Sequence, residues 1–129
     1  MCIRVSSKAK VLIAKKDIRV YKRLVVKNNG NLISPYREIP YYIGKTKTAI
    51  TDFLITIKRF NKFAKPGDII ELYEGIHSYN AKKTAMAKKV WDWNEEIFAA
   101  IIPAGSQYIK GLKNEIVSEK LKIIKQVKR

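Results

Sequence analysis

The chain has 129 residues, and 27 lysines and arginines against 11 aspartates and glutamates give it a formal net charge of +16. This length predicts one domain over residues 1–129, and the 47% hydrophobic fraction predicts a folded core, which excludes a disordered basic tail. A surface this positive attracts polyanions. We therefore expect a nucleic acid or a nucleic-acid-bound protein complex as partner, with DNA, RNA and a nucleotide-bearing ligand all open.

The sequence also argues against several other classes of protein. No apolar stretch approaches the ~18–20 residues of a membrane span, and residues 1–8 lack the apolar region of a signal peptide. A single cysteine, Cys2, cannot form an internal disulfide, and with the single histidine, His77, it supplies too few ligands for a structural zinc site. We expect a soluble cytoplasmic protein, in the host cytoplasm if a phage encodes it, with no membrane contact, cofactor or metal.

The positive charge is concentrated at the two ends of the chain. Residues 1–30 carry nine basic residues and one acid, and residues 110–129 carry seven basic residues and two acids. Residues 68–79 reverse the balance, with three acids and no lysine or arginine. We expect the terminal segments and a lysine-rich helix to contact the polyanion. The predicted contacts are Lys15, Lys16, Arg19, Lys22, Arg23, Lys82, Lys83, Lys88, Lys89, Lys122 and Lys125.

The first half of the chain predicts a β-hairpin and then an irregular connection. Residues 18–26 alternate imperfectly and are rich in β-branched and aromatic side chains, as in a strand. The Asn-Gly pair at 29–30 favours a tight turn, with a second strand near 32–33. Two prolines predict an irregular segment over 34–48, in which an extended pattern resumes at 41–43 before Gly44. Residues 49–63 suit either a helix or a strand, and the helical interpretation is favoured.

The second half predicts one helix among short strands. Asn80 could cap a helix over 81–93, in which Met86, Val90 and Trp93 share one face. Strands are expected over 69–73, 97–102, 107–109, 115–117 and 121–124. The predicted fold class is α+β, with a mainly antiparallel or mixed sheet, a helix at about 80–93 and a second helix at about 49–63.

Two further features could contact phosphates or bases. Gly44-Lys45-Thr46 matches the end of a phosphate-binding loop, but Ile39 stands where that loop needs a glycine, which favours an ordinary polar turn. Tyrosines interleaved with the basic residues could stack on bases, or could be ordinary core residues. These tyrosines are Tyr21, Tyr36, Tyr41 and Tyr42.

The alternative to a binding protein is a small enzyme acting on a nucleotide or nucleic acid. Its base would be His77, with Tyr79 and Glu74 assisting. In an extended strand Glu74 and His77 point to opposite faces, which favours a structural histidine near the start of the helix. Removal of Met1 would make Cys2 an N-terminal nucleophile, although an ordinary edge cysteine is favoured. No catalytic residue is assigned, and a non-enzymatic role is preferred.

Eight short strings over most of the chain carry a resemblance: Met1-Cys2, Val20-Tyr21-Lys22, Ser34-Pro35-Tyr36, Gly44-Lys45-Thr46, Glu74-Gly75-Ile76-His77-Ser78-Tyr79, Ile102-Pro103-Ala104-Gly105, Tyr108-Ile109-Lys110-Gly111 and Glu115-Ile116-Val117-Ser118-Glu119-Lys120-Leu121. In these strings the chain resembles a family of small accessory proteins of bacteriophages and bacterial mobile elements. The resemblance implies a mobile-element context and no particular reaction. That context suggests an inhibitor of a host defence nuclease, similar in role to an anti-CRISPR protein.

Overall fold

A computed structural model of the protein describes residues 3–6, 10–35, 39–49, 69–72, 75–87 and 94–127. Within these ranges the chain forms twelve strands and one helix of six residues. The α+β prediction is therefore wrong, and the described part of the chain is essentially all-β. The strands are β1 (Ile3–Ser6), β2 (Leu12–Ile13), β3 (Ile18–Val26), β4 (Leu32–Ile33), β5 (Pro40–Tyr41), β6 (Thr46–Thr48), β7 (Ile69–Leu72), β8 (Ile76–Tyr79), β9 (Glu95–Ile102), β10 (Gln107–Lys110), β11 (Glu115–Ser118) and β12 (Lys120–Gln126), and the helix is α1 (Lys82–Ala87).

Of the two predicted helices, the one at about 80–93 can be compared with the described residues. Among the described residues, the helix expected at about 80–93 is limited to α1, and residues 88–93 lie outside them. The residue of α1 that faces the sheet is Ala85, which is fully buried, whereas Met86 is 39% exposed. Met86, which the predicted apolar stripe included, therefore does not face the sheet. The helix expected at about 49–63 lies almost wholly outside the described residues.

Ten of the described strands form one sheet in the order β2-β10-β11-β8-β3-β9-β12-β6, and β4 joins it by pairing with β3 and β5. Neighbouring strands are antiparallel, and an isolated parallel bridge joins Ile43 to Ile123. The strands β1 and β7 form a separate antiparallel pair. The structure confirms most of the predicted strands, with small differences at their ends. These lie at 18–26, 32–33, 69–72, 95–102, 107–110, 115–118 and 120–126.

The core lies on one side of the central strands, which we call the core side. Val20 and Leu24 of β3 and Ala100 of β9 are at most 2% exposed, and Leu121 and Ile123 of β12 pack into the same cluster. Alternation along each strand brings these apolar residues to one side, and each large side chain buried there stabilises the fold by about 1.5–3 kcal/mol. The opposite side is called the outer side, and α1 packs on part of it.

The hairpin between β3 and β4 confirms the turn expected at 29–30. Gly30 has a φ of +84°, a backbone conformation that glycine adopts without a steric penalty. The backbone N–H of Lys27 donates to the carbonyl of Asn31 over 2.9 Å, and the N–H of Gly30 donates to the carbonyl of Lys27 over 2.8 Å. The side-chain oxygen of Asn29 also accepts from the N–H of Asn31 at 3.0 Å. These bonds fix the register of the two strands.

The segment 34–48, expected to be irregular, contributes β5 and β6 to the sheet. Tyr41 of β5 is 5% exposed and packs into the core. A turn follows, in which the N–H of Lys45 donates to the carbonyl of Tyr42 over 3.2 Å and Gly44 has a φ of +82°. The polar turn favoured for Gly44-Lys45-Thr46 is therefore confirmed. The packing of Tyr41 into the core accompanies the extended conformation of this segment.

A β-bulge interrupts the pairing of β12 with β9. The register shifts between Ile123 and Lys125, so that Lys125 lies opposite Ala99. The additional residue, Ile124, is 39% exposed. Since Lys122 points to the outer side, regular alternation would turn Lys125 to the core side. The bulge keeps both lysines on the outer side.

Candidate polyanion-binding face

The antiparallel register brings basic residues from the two ends of the chain onto the outer side of the sheet. Arg19 of β3 lies opposite Ile101 of β9, Ile101 lies opposite Lys122 of β12, and Lys122 lies opposite Thr46 of β6. Directly opposed residues of antiparallel strands project from the same side of a sheet. With strands about 4.8 Å apart, the Cα atoms of Arg19 and Lys122 are separated by about 10 Å.

Two further rows extend this arrangement along the strands. Tyr21 lies opposite Ala99, which lies opposite Lys125, and Lys120 lies opposite Thr48. Arg19, Lys120, Lys125 and the two threonines are exposed, whereas Lys122 is half-buried. We call this surface the basic face. Its members are Arg19, Lys120, Lys122, Lys125, Thr46 and Thr48.

The three rows of the basic face contain no acidic residue. The acids that adjoin the face in sequence have backbone partners: the Asp17 carboxylate accepts from the N–H of Ala104, and the Glu119 carboxylate accepts from the N–H of Gln107, each over 2.9 Å. Like charges that share one side of a sheet without counterions raise the local positive potential. The basic face is thus suited to attract an extended anion.

Two of the predicted contacts lie in the interior instead. Lys22 is 7% exposed, and its ammonium donates to the backbone carbonyl of His77 over 2.7 Å. Burial, with a smaller effect of the adjacent Arg23 charge, lowers the pKa of Lys22 to about 7. Arg23 is 3% exposed, and its Nη2 lies 3.8 Å from Oε1 of the fully buried Glu95. Burial places both cations out of reach of a large polyanion.

The remaining predicted contacts lie around the basic face or beyond the described residues. Lys15 and Lys16 are exposed in the bend that precedes β3, close in sequence to Arg19. Lys82 is half-buried and Lys83 is exposed on α1, which packs beside Tyr21 through Ala85. Two lysines lie outside the described part of the chain: Lys88 and Lys89. Among the predicted contacts, the aligned rows therefore unite Arg19, Lys122 and Lys125.

Sequence reasoning missed Lys120 and did not distinguish the buried tyrosine from the exposed one. Lys120 shares the parity of Lys122, so alternation along β12 could have identified it. Tyr41 is buried, with the ammonium groups of Lys22 and Lys47 at 5.5 and 5.8 Å from its ring centroid, and burial raises the pKa of its hydroxyl. Tyr42 is 58% exposed. Tyr21 is half-buried on the outer side, and Tyr36 lies outside the described residues.

The candidate catalytic residues do not form an open site. His77 and Tyr79 are 8% and 1% exposed within β8, which pairs with β11 and β3. This burial in the sheet favours the structural interpretation of His77. Two candidates, Cys2 and Glu74, lie outside the described residues. Elsewhere, no group of three or more His, Cys, Asp or Glu residues in the described ranges could hold a metal ion.

The comparisons with known proteins yield no relative. No protein-family model, curated protein or solved structure matches the chain significantly. In the described residues, no helix has the length and apolar character needed to cross a membrane.

Proposed function

We propose that the protein binds nucleic acid through the basic face, chiefly by contacts to phosphate groups. The observation that supports this proposal is the alignment of Arg19, Lys122 and Lys125 on one accessible side of the sheet, with no acid in their rows. Phosphate contacts release condensed counterions, which makes them the main source of sequence-independent affinity. The net charge of +16 adds a long-range attraction that increases the association rate.

The geometry of the face suits a phosphate backbone. Lys120 and Lys122 lie two residues apart along β12, a separation of about 6.5 Å, and Arg19 lies two strands away. Long side chains at these positions can reach successive phosphates, and the hydroxyls of Thr46 and Thr48 can donate further hydrogen bonds to phosphate oxygens. Lys122 is half-buried, and a lysine in such a position can bury its apolar stem while its ammonium stays in water.

A salt titration of binding to mixed-sequence oligonucleotides tests the proposal. The logarithm of the association constant should fall linearly with the logarithm of salt concentration, by about 0.7–0.9 for each phosphate neutralised. Lys125→Glu should weaken binding to all sequences and reduce this slope by about 1. Lys110→Glu on β10 is the matched control, since Lys110 is exposed but lies near the other end of the strand order. A flat salt dependence, or an equal loss in the control, would contradict the proposal.

Copurification with and without nuclease treatment separates nucleic acid from a protein partner. If the basic face binds nucleic acid directly, nuclease should release the protein from the material it captures. A complex that survives nuclease and is lost in Lys125→Glu would instead assign the face to a protein partner. Inhibition of a defence nuclease, which the resemblance implies, would require such a protein partner and remains a prediction.

A further inference from the structure

A groove beside the basic face is lined by residues of the β3–β4 hairpin and of the turn that follows β5. Its volume is about 580 Å³, within the ~300–1,000 Å³ range of small-molecule sites. Tyr42 and Ile43 line it and are 58% and 56% exposed. The apolar side chains Leu32 and Pro40 also contribute to its lining.

The described charged groups that line the groove are cationic. Lys27 and Lys45 line it and both are exposed, and the described part of its lining contains no acidic residue. The ammonium of Lys45 lies 5.5 Å from the ring centroid of Tyr42, within the range of a cation–π contact. Asn31 adds an exposed carboxamide, which can both donate to and accept from the edge of a base. An aromatic ring, an amide and two ammonium groups match a nucleobase with its phosphate.

The turn that lines the groove contacts β12, the strand that carries Lys122 of the basic face. Lys45 lines the groove, and the next residue, Thr46, lies opposite Lys122 in the first row of the face. The N–H of Gly44 donates to the carbonyl of Ile123 over 2.7 Å, which holds the turn against β12. Tyr42 therefore lies in a turn that is hydrogen-bonded to the strand carrying Lys122.

We infer that the groove takes an unpaired base and that the ligand of the basic face is single-stranded nucleic acid, with the base stacked on Tyr42 and its phosphate beside Lys45. This inference rests on the proposed function. Bases in a duplex are stacked and paired, so they do not present a ring face to Tyr42. Stacking on an aromatic side chain is tolerant of sequence because every base has a π-face.

Fluorescence anisotropy with three labelled probes tests the inference: a short single strand, a duplex of the same length and an abasic strand of the same length. The wild type should bind the single strand more tightly than the other two. Tyr42→Ala should weaken single-strand binding by about 5- to 150-fold, the effect of losing one stacked base, and leave abasic binding unchanged. Tyr42→Phe should retain wild-type affinity. The exposure of Tyr42 makes unfolding of these variants unexpected, which circular dichroism would verify.

The results for Tyr42→Ala and Lys125→Glu test the groove and the basic face separately. If Lys125→Glu weakens binding to all three probes while Tyr42→Ala changes nothing, the inference is overturned and the proposed function stands. Equal wild-type affinity for the single strand and the abasic strand would overturn it as well. If neither variant changes the affinity for any probe, both the proposed function and the inference fail.

Discussion

The ammonium group of Lys22 in β3 donates a hydrogen bond to the backbone carbonyl of His77 in β8, over 2.7 Å, inside the core. The ring centroid of Tyr41 lies 5.5 Å from the same nitrogen. One carbonyl and one ring replace the water that an exposed ammonium would have, so the charged form is poorly compensated. A lysine thus lies in the interior with a pKa lowered to about 7.

This arrangement predicts that stability rises with pH above neutrality. Between about pH 7 and 10.5 the unfolded chain binds a proton at Lys22 that the folded protein does not, so raising the pH favours folding. The expected slope from this residue is up to about 1.4 kcal/mol per pH unit. Urea unfolding of the wild type and Lys22→Met from pH 7 to 9.5 measures it. The wild type should gain stability relative to the variant as pH rises, and a constant difference would contradict the lowered pKa.

The buried pair Arg23–Glu95 predicts strong non-additivity. Arg23→Met should destabilise the protein by about 3–5 kcal/mol, because it removes the cation that lies 3.8 Å from the buried Glu95 carboxylate. The double variant Arg23→Met/Glu95→Leu should recover most of that loss, since neither charge of the pair remains. Chemical denaturation of both single variants and the double variant completes a thermodynamic cycle. Additive losses would show that the two side chains are not coupled.

The orientation of α1 predicts that substitutions at two adjacent positions change the stability of the protein by different amounts. Ala85→Leu should cost about 1–3 kcal/mol, because Ala85 is fully buried against Tyr79 and Ile97. Met86→Ala should change the stability by less than about 0.5 kcal/mol, because Met86 is partly exposed. Thermal unfolding monitored by circular dichroism compares the two. A larger loss in Met86→Ala would place the methionine, rather than the alanine, against the sheet.

The turn at Gly44 predicts that a side chain at this position lowers stability through backbone strain, without a steric clash. A Cβ atom at Gly44 would meet nothing within 4 Å, but the φ of +82° is strained for any residue with a side chain. Gly44→Ala should cost about 1–2 kcal/mol, and Gly44→Asn should cost less because asparagine tolerates this region. Denaturant unfolding of the two variants gives the comparison. Equal stability of wild type and Gly44→Ala would mean that the turn relaxes at no cost.

Local patterns in the sequence predicted most of the strands but not the fold class. The strand at 18–26 and the turn at 29–30 depend on adjacent residues, and both are confirmed. The segment 34–48 joins the sheet and Tyr41 packs into a distant core, and no local pattern encodes that contact. The α+β prediction gave too much weight to the stripe through Met86 and none to the small residue Ala85.

The candidate site was predictable in composition but not in arrangement. The parity of Lys22 with Val20 and Leu24 already indicated that it faces the core, although its charge favoured a surface assignment. The burial of Arg23 depends on Glu95, which lies far away in the sequence. The alignment of Arg19 with Lys122 likewise follows from pairing through β9. Strand order and register are long-range properties, which one sequence does not specify.

The bulge at Ile124 divides β12 into two phases of alternation. Before it, the odd-numbered residues Leu121 and Ile123 are on the core side, and after it the even-numbered Gln126 lies opposite Phe98 of that side. A deletion of Ile124 would merge the two phases into one regular ladder while keeping Lys122 and Lys125 on their present side. The loss of one residue at the bulge would therefore leave these lysines on the same side of the sheet.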